Sequence, residues 1–151
     1  MVSVIGIAVA PRILAPMEER DEVAVTIEKG LDGDARGGKR LRQVSILFED
    51  DWNDAVAATD GASMPWVERR ANLHVRGMRS PQEVGGVFQI GDVRLEVAEE
   101  TEPCELMESK RPGLQEAMMP DWRGGVCCRV ISGGAIRLGD AVSYEGAASR
   151  S

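Results

Sequence analysis

The sequence predicts a mainly β fold, a barrel or a sandwich, carrying a few short helices. Three observations predict it. Short apolar or alternating runs recur along the chain, glycine-containing turn pairs separate them, and stretches with a helical period are few. The 151 residues suit one domain closing a single core. Hydrophobic residues at 43% and charged residues at 28% give the balance of a soluble globular chain rather than a disordered or membrane-spanning one.

The first strand is read at residues 2–9, apolar with little periodicity. An Ala-x-Ala triplet at Ala8 and Ala10 imitates a secretory cleavage site, but no basic segment precedes the apolar run, so a strand and a cytoplasmic location are expected. Val23, Val25 and Ile27 alternate with polar or small residues, and residues 44–48 form another short run. Residues 49–59 are read as a helix. They set Trp52, Ala55, Val56 and Thr59 on one side and place Glu49, Asp50 and Asp51 in the first turn, where the helix dipole favours anions. Strands at 86–90 and 93–98 flank the turn Gly91-Asp92. Two short helices are expected at 104–109 and 112–119, the second opening with a proline and stopping before Pro120. Strands at 126–131 and 141–144 complete the pattern, with turns at Gly133-Gly134 and Gly139-Asp140. Residues 88–93 and 136–142 echo one another, which is repeated hairpin grammar and not a solenoid repeat. A single domain is expected over 1–144, and residues 145–151, without core side chains, are expected as a loose tail.

Charge narrows the function. A formal net charge of -7 argues against a nucleic-acid surface, because phosphate neutralisation dominates that affinity. No apolar run reaches the roughly 20 residues of a spanning helix, so no membrane partner is expected. Among 18 basic residues only Lys29, Lys39 and Lys110 are lysines. The remainder are arginines, whose planar fork suits phosphate or carboxylate. An acidic shell around an arginine-lined pocket is one way to hold a small anion without attracting polyanions. Three cysteines, an odd number, do not make a disulfide framework and fit a reducing compartment.

Four segments carry candidate chemistry. Residues 30–42 combine glycines with Arg36, Lys39, Arg40 and Arg42. Such a stretch is either a flexible surface loop or a cradle in which freed amides and cations meet an anion; it is no P-loop, because the Gly-Lys-Ser/Thr ending is missing. Pro65 to Leu73 brings Trp66, Arg69, Arg70 and Asn72 together without a clear period, as a polar ligand wall or as a core tryptophan with solvated arginines. Asp121 to Arg129 repeats the theme with Arg123, Gly124 and Gly125 ahead of a strand in which Cys127 and Cys128 point to opposite faces. At least one of those two cysteines is expected to be a small buried hydrophobe.

Cys104 differs from both. It follows Pro103 in a loop, where a sulfur is accessible, and nearby cations would favour a thiolate able to act as nucleophile, persulfide carrier or soft-metal ligand. Glu102 and Glu105 would work against that. The cysteines and His74 show no zinc spacing, and His74, in an alternating stretch, reads as a packed or surface residue and not as a base.

Taken in order, the segments Gly30-Leu31-Asp32-Gly33-Asp34, residues 42–47, Arg69-Arg70-Ala71-Asn72-Leu73, Pro103-Cys104, Arg123-Gly124-Gly125-Val126 and residues 134–140 resemble the MOSC family, found at the C-terminus of molybdenum-cofactor sulfurases and in stand-alone bacterial proteins. The resemblance implies a MOSC-type β-barrel with its conserved cysteine at Cys104. In the family that cysteine is proposed to carry sulfur, and in amidoxime-reducing relatives its thiolate ligates molybdenum. The Arg-x-Asn-Leu stretch that helps hold the pterin in those relatives maps onto Arg70 and Asn72. The resemblance therefore implies a molybdenum cofactor gripped by Arg36, Lys39, Arg40, Arg42, Arg70, Asn72, Arg123 and Gly124, and reduction of N-hydroxylated compounds with electrons from a partner protein. The alternatives are a sulfur carrier holding a persulfide on Cys104, supplied by a sulfur donor, and a small-anion binding module. Ala35-Arg36 stands where many relatives carry a histidine, which leaves the lining of that loop open.

Overall fold

In the computed structural model, which describes residues 1–38 and 40–150, the alternating segments become strands wherever one face can be buried. In chain order they are β1 (Ser3–Val9), β2 (Glu18–Glu19), β3 (Glu22–Thr26), β4 (Gly30–Leu31), β5 (Val44–Phe48), helix α1 (Glu49–Ala57), β6 (Leu73–Arg76), β7 (Val87–Ile90), β8 (Val93–Glu100), helices α2 (Glu105–Lys110) and α3 (Leu114–Ala117), β9 (Val126–Ser132), β10 (Gly134–Arg137) and β11 (Ser143–Glu145). The main sheet has the order β11-β7-β8-β9-β5-β6-β1-β2, and a smaller sheet runs β10-β3-β4. Pairing is antiparallel except between β5 and β6, which α1 and its following loop connect as a crossover.

The fold is mainly β, a curled sheet forming a half-barrel. The curl brings its two ends together. Residues leading into β11 bond first to β1, through Val4 N–H to Asp140 O at 2.9 Å, Gly139 N–H to Val4 O at 2.8 Å and Val142 N–H to Val2 O at 2.9 Å, before β11 pairs with β7 at the opposite edge. One cluster of apolar side chains fills the interior, including Ile7, Val44, Ile46, Phe48, Leu73, Phe88, Leu95 and Val130. A second lies beneath the helices, where Trp52, Ala55 and Val56 of α1 meet Leu47, Met107, Leu114 and Met118.

Local chemistry explains where the elements differ from the expectations. The helix expected over 112–119 begins only at Leu114, because Gly113 takes a left-handed φ of 88° and interrupts the turn. The helix expected at 104 begins at Glu105, since Cys104 keeps an extended backbone with φ -126° and ψ 176°. Strand β6 sits between β1 and β5 in the sheet, and both its faces are covered: Leu73 and Val75 point into the core while His74, on the other face, stacks on Trp66. The tail expected from residue 145 starts inside the sheet, with Glu145 paired to Val87 and Ala147 N–H donating to Glu83 Oε1 at 3.0 Å.

Candidate functional site

Loops from one end of the half-barrel converge on a cavity of about 270 Å³. Its lining draws on the loop after β1, the segment before β5, the turn before β6, the β8–α2 connection and the start of β9. Cys104 stands in that lining with Arg36, Arg42, Arg69, Arg70 and Asn72, so groups from three distant stretches of the chain share one space.

The cysteine is exposed. Thr101 ties the chain before it to the sheet, its N–H donating to Gly125 O at 2.9 Å and its Oγ1 lying 3.1 Å from Cys127 Sγ. The alternation of β9 decides the fate of the other two thiols. Val126, Cys128 and Val130 face the core, and complete burial pushes the Cys128 thiol well above its ordinary pKa. Cys127 points the other way, into the cavity, beside the Arg42 guanidinium. A hydrogen bond to Cys127, then its charge, hold Arg42 above its ordinary value, with Glu99 at 3.0 Å and Cys104 acting in the same direction.

Arg69 is the buried cation of the site. Only 7% exposed, it donates from Nε to Gly124 O at 3.2 Å and from an η-nitrogen to Thr101 O at 2.9 Å. Burial pushes its pKa down to about 10; the Cys104 and Cys127 thiols oppose that shift, and Arg36 and Arg42 add to it. Gly124 has to be glycine, because a Cβ there would run into Thr101 O and crowd the Arg69 guanidinium. Arg70 sits in a left-handed conformation with φ 65°, donates to Ala15 O at 2.7 Å, and has its pKa lowered by burial and then by Arg36. Arg36 in turn donates to Arg70 O at 2.9 Å, so the two guanidinium-bearing loops are locked to each other.

The sequence-derived set divides. Arg36, Arg42, Arg70, Asn72, Gly124 and Cys104 come together around the cavity. Asn72 does so as a clamp, its Oδ1 accepting from Ser45 N–H at 3.0 Å and its Nδ2 donating to Ala8 O at 3.2 Å, which uses most of its amide on strands β5 and β1. Arg40 is exposed and absent from the lining. Arg123 turns away to donate to Ala117 O at 3.0 Å, holding the end of α3, because the preceding Asp121 and Trp122 both take positive φ and reverse the chain. Lys39 lies outside the described residues.

Sequence reasoning missed Arg69 as a site residue in favour of its neighbour, and nothing local could separate them. Cys127 was findable: its parity in β9 is opposite to that of the apolar Val126, Cys128 and Val130. Glu102 does line the cavity, whereas Glu105 does not. His74 is packed, its ring stacked on Trp66 with centroids 5.1 Å apart, and burial pushes its pKa down to about 4. No described helix is long and apolar enough to cross a membrane.

Comparison with known proteins identifies the family and fold. The MOSC domain profile matches residues 33–143. Among solved structures, YuaD from Bacillus subtilis superposes with a TM-score of 0.78 at 20% identity, over 95% of this chain and 96% of that one. YiiM from Geobacillus stearothermophilus gives 0.74 at 14% identity, over 97% and 76%, and YiiM from Escherichia coli gives 0.66 at 16%, over 95% and 70%. These likenesses are of fold. No curated protein matches the chain.

Proposed function

The chain belongs to the MOSC domain family, and from that premise we propose that its arginine-lined cavity binds a molybdenum cofactor, with the Cys104 thiolate as the protein ligand to the metal, for the reduction of N-hydroxylated compounds. One observation carries the reading: an exposed thiol and four guanidinium groups, Arg36, Arg42, Arg69 and Arg70, line one cavity.

The residues present fit such a group. Arg69 is a cation held in a dry place without a carboxylate hydrogen-bonded to it, and a buried charge of that kind is stabilised by an arriving anion. Arg42 and Arg70 line the same space, where their guanidinium groups can contribute to holding a phosphate. Among the described residues no cluster of three or more His, Cys, Asp or Glu is placed to hold a metal ion, so a metal here would take its remaining ligands from a cofactor and only its sulfur from Cys104. The 270 Å³ space lies just under the range of about 300–1,000 Å³ typical of ligand pockets, and its open mouth suits a ligand that is partly exposed.

In the mechanism so read, the bound molybdenum supplies the oxygen-atom and electron chemistry. The protein's own work is electrostatic and positional. Arg36 and Arg70, locked together, and Arg69 fix the anionic end; Thr101 and Gly124 hold Arg69 in place; the extended Cys104 at the start of α2 presents its sulfur to the cavity. Electrons would come from a partner protein. A reducing cytoplasmic setting would keep Cys104 a free thiol.

A second reading, carriage of a persulfide on Cys104, is favoured by the presence of Cys127 in the same lining, beside Arg42. Elemental analysis separates the two. After expression in a cofactor-competent host, stoichiometric molybdenum in the wild type and its loss in Cys104→Ser is the expected result. No metal in the wild type, together with a persulfide mass increment on Cys104, overturns the first reading in favour of the second.

A further inference from the structure

The cavity has a charged floor and an apolar mouth. Ile13 and Leu14, in the loop after β1, and Leu106, in α2, belong to its lining, yet they are 59%, 74% and 38% exposed. Single exposed leucines on a protein surface are ordinary. Three around one opening, each from a segment that also reaches toward the arginines or Cys104, form a patch.

Leu14 adds a second and independent observation. Its backbone stands at φ 64°, the left-handed region that a branched side chain seldom occupies. Glycine or asparagine would hold the same turn more easily. The leucine gives nothing to either core in exchange, since it is the most exposed of the three. The turn is held from behind, with Ala15 N–H donating to Arg12 O at 3.0 Å and Arg70 donating to Ala15 O at 2.7 Å. One of the cavity's cations therefore pins in place the strained loop that presents two of its apolar residues. Strain retained at a ligand cavity, by a residue the fold does not use, points to contact with a ligand.

We propose that the mouth of this cavity receives an apolar body: with the arginine floor taken by the anionic end of the cofactor read above, the substrate brought to Cys104 rests a hydrocarbon or aromatic part on Ile13, Leu14 and Leu106, and in the cofactor-free chain a small anion with an apolar tail spans floor and mouth together. This deepens the reading of the cavity as the chain's ligand site and rests on it. Compact polar ions then bind weakly, and small anions with apolar bodies are preferred. Each methylene buried at the mouth raises affinity about fourfold.

The experiment uses the full chain without cofactor, titrated calorimetrically with inorganic phosphate and with hexyl phosphate. Hexyl phosphate is expected to bind at least about tenfold more tightly, the gain of roughly two buried methylenes. Leu14→Asn, which accepts the left-handed turn, is expected to remove most of that gain, to leave inorganic phosphate binding unchanged and to unfold at an equal or higher temperature. Leu14→Met keeps the gain. Phosphate binding with no benefit from the alkyl chain, or a benefit that survives in both Leu14→Asn and Ile13→Ser, overturns the amphipathic assignment and leaves the anion floor standing. Failure of both probes to bind sinks the anion floor, and this inference with it.

Discussion

Replacing Arg69 by methionine tests whether the buried guanidinium serves the fold or a ligand. Its pKa, pushed down to about 10 from the ordinary guanidinium range, reflects how far the folded surroundings disfavour the charge. At about 1.4 kcal/mol for each unit, the shift corresponds to a folding cost of roughly 3 kcal/mol. The sign follows from the direction. The folded value lies below the unfolded one, so the cost is present in full at every pH below about 10, where both states are protonated, and it is relieved only as pH rises from there toward the ordinary guanidinium value. Methionine, of similar reach, removes that cost but strands the carbonyls of Gly124 and Thr101. An orphaned buried acceptor costs about 1–3 kcal/mol, less where cavity water can reach it. The two effects oppose one another, and the net change in urea unfolding is expected to stay within about 2 kcal/mol of zero. Ligand response should change far more. At about a hundredfold excess over Kd, phosphate stabilises a binding protein by roughly 2.7 kcal/mol through linkage, and Arg69→Met is expected to lose most of that increment at matched ionic strength. A variant that loses several kcal/mol of stability while responding to phosphate as the wild type does would show Arg69 to be a structural tie, and the reasoning would be refuted.

Two further outcomes are expected. Under native conditions a maleimide should label exposed Cys104 first, Cys127 only slowly from the cavity and Cys128 only after unfolding, read by peptide mass spectrometry; early labelling of Cys128 would contradict its place in the core. Stability should fall as pH drops from about 6.5 to about 4, because His74, buried against Trp66 with its Nε2 unpartnered, must take up a proton that the unfolded chain accepts more readily. In thermal melts across that range His74→Phe should flatten this part of the profile, and an unchanged slope would assign the acid sensitivity elsewhere.

What could be read in the sequence depended on whether a residue's role was local. Alternation marked β3 and β8, where one face is buried, and short apolar runs marked β1, β5 and β9. Strand β6, four residues at the end of a segment without clear period, and β2 and β4, two residues each, carry too little pattern to detect. At the site, Cys104 was legible from its proline-led loop, and the basic character of residues 30–42 from composition. Arg123 misled for a backbone reason: positive φ at Asp121 and Trp122 swings it to the end of α3. Asn72, expected as a ligand-wall residue, lines the cavity, but most of its amide is used to stitch β5 to β1. Which of Arg69 and Arg70 is buried depends on the 3-10 turn Trp66–Arg69 and on the left-handed residue that closes it, a tertiary fact with no trace in the local pattern.

Unfavourable features of the molecule collect around this one cavity. The described non-glycine residues with positive φ are Leu14, Arg70, Asp121 and Trp122; the first two line the cavity, and the other two lead into Arg123 and the cavity-lining Gly124. The cation with the largest burial cost, Arg69, lines it too. Elsewhere the described chain leaves single buried polar atoms without a partner, such as His74 Nε2, among regular strands, filled cores and surface ion pairs such as Arg76 with Glu49 and Arg129 with Glu96. Strain and desolvated charge persist only where the surrounding structure over-determines them, and here the ties are visible: Arg36 to Arg70 O, Arg70 to Ala15 O, Arg69 to Gly124 and Thr101. Each of these three arginines is tied to main-chain carbonyls, which fixes the cation without neutralising it; Arg42, paired with Glu99 at 3.0 Å, is the exception in the lining. A carboxylate partner would have been the cheaper solution for folding alone. Carbonyl partners leave the positive charge available to a ligand, and that choice is what separates a binding floor from a structural salt bridge.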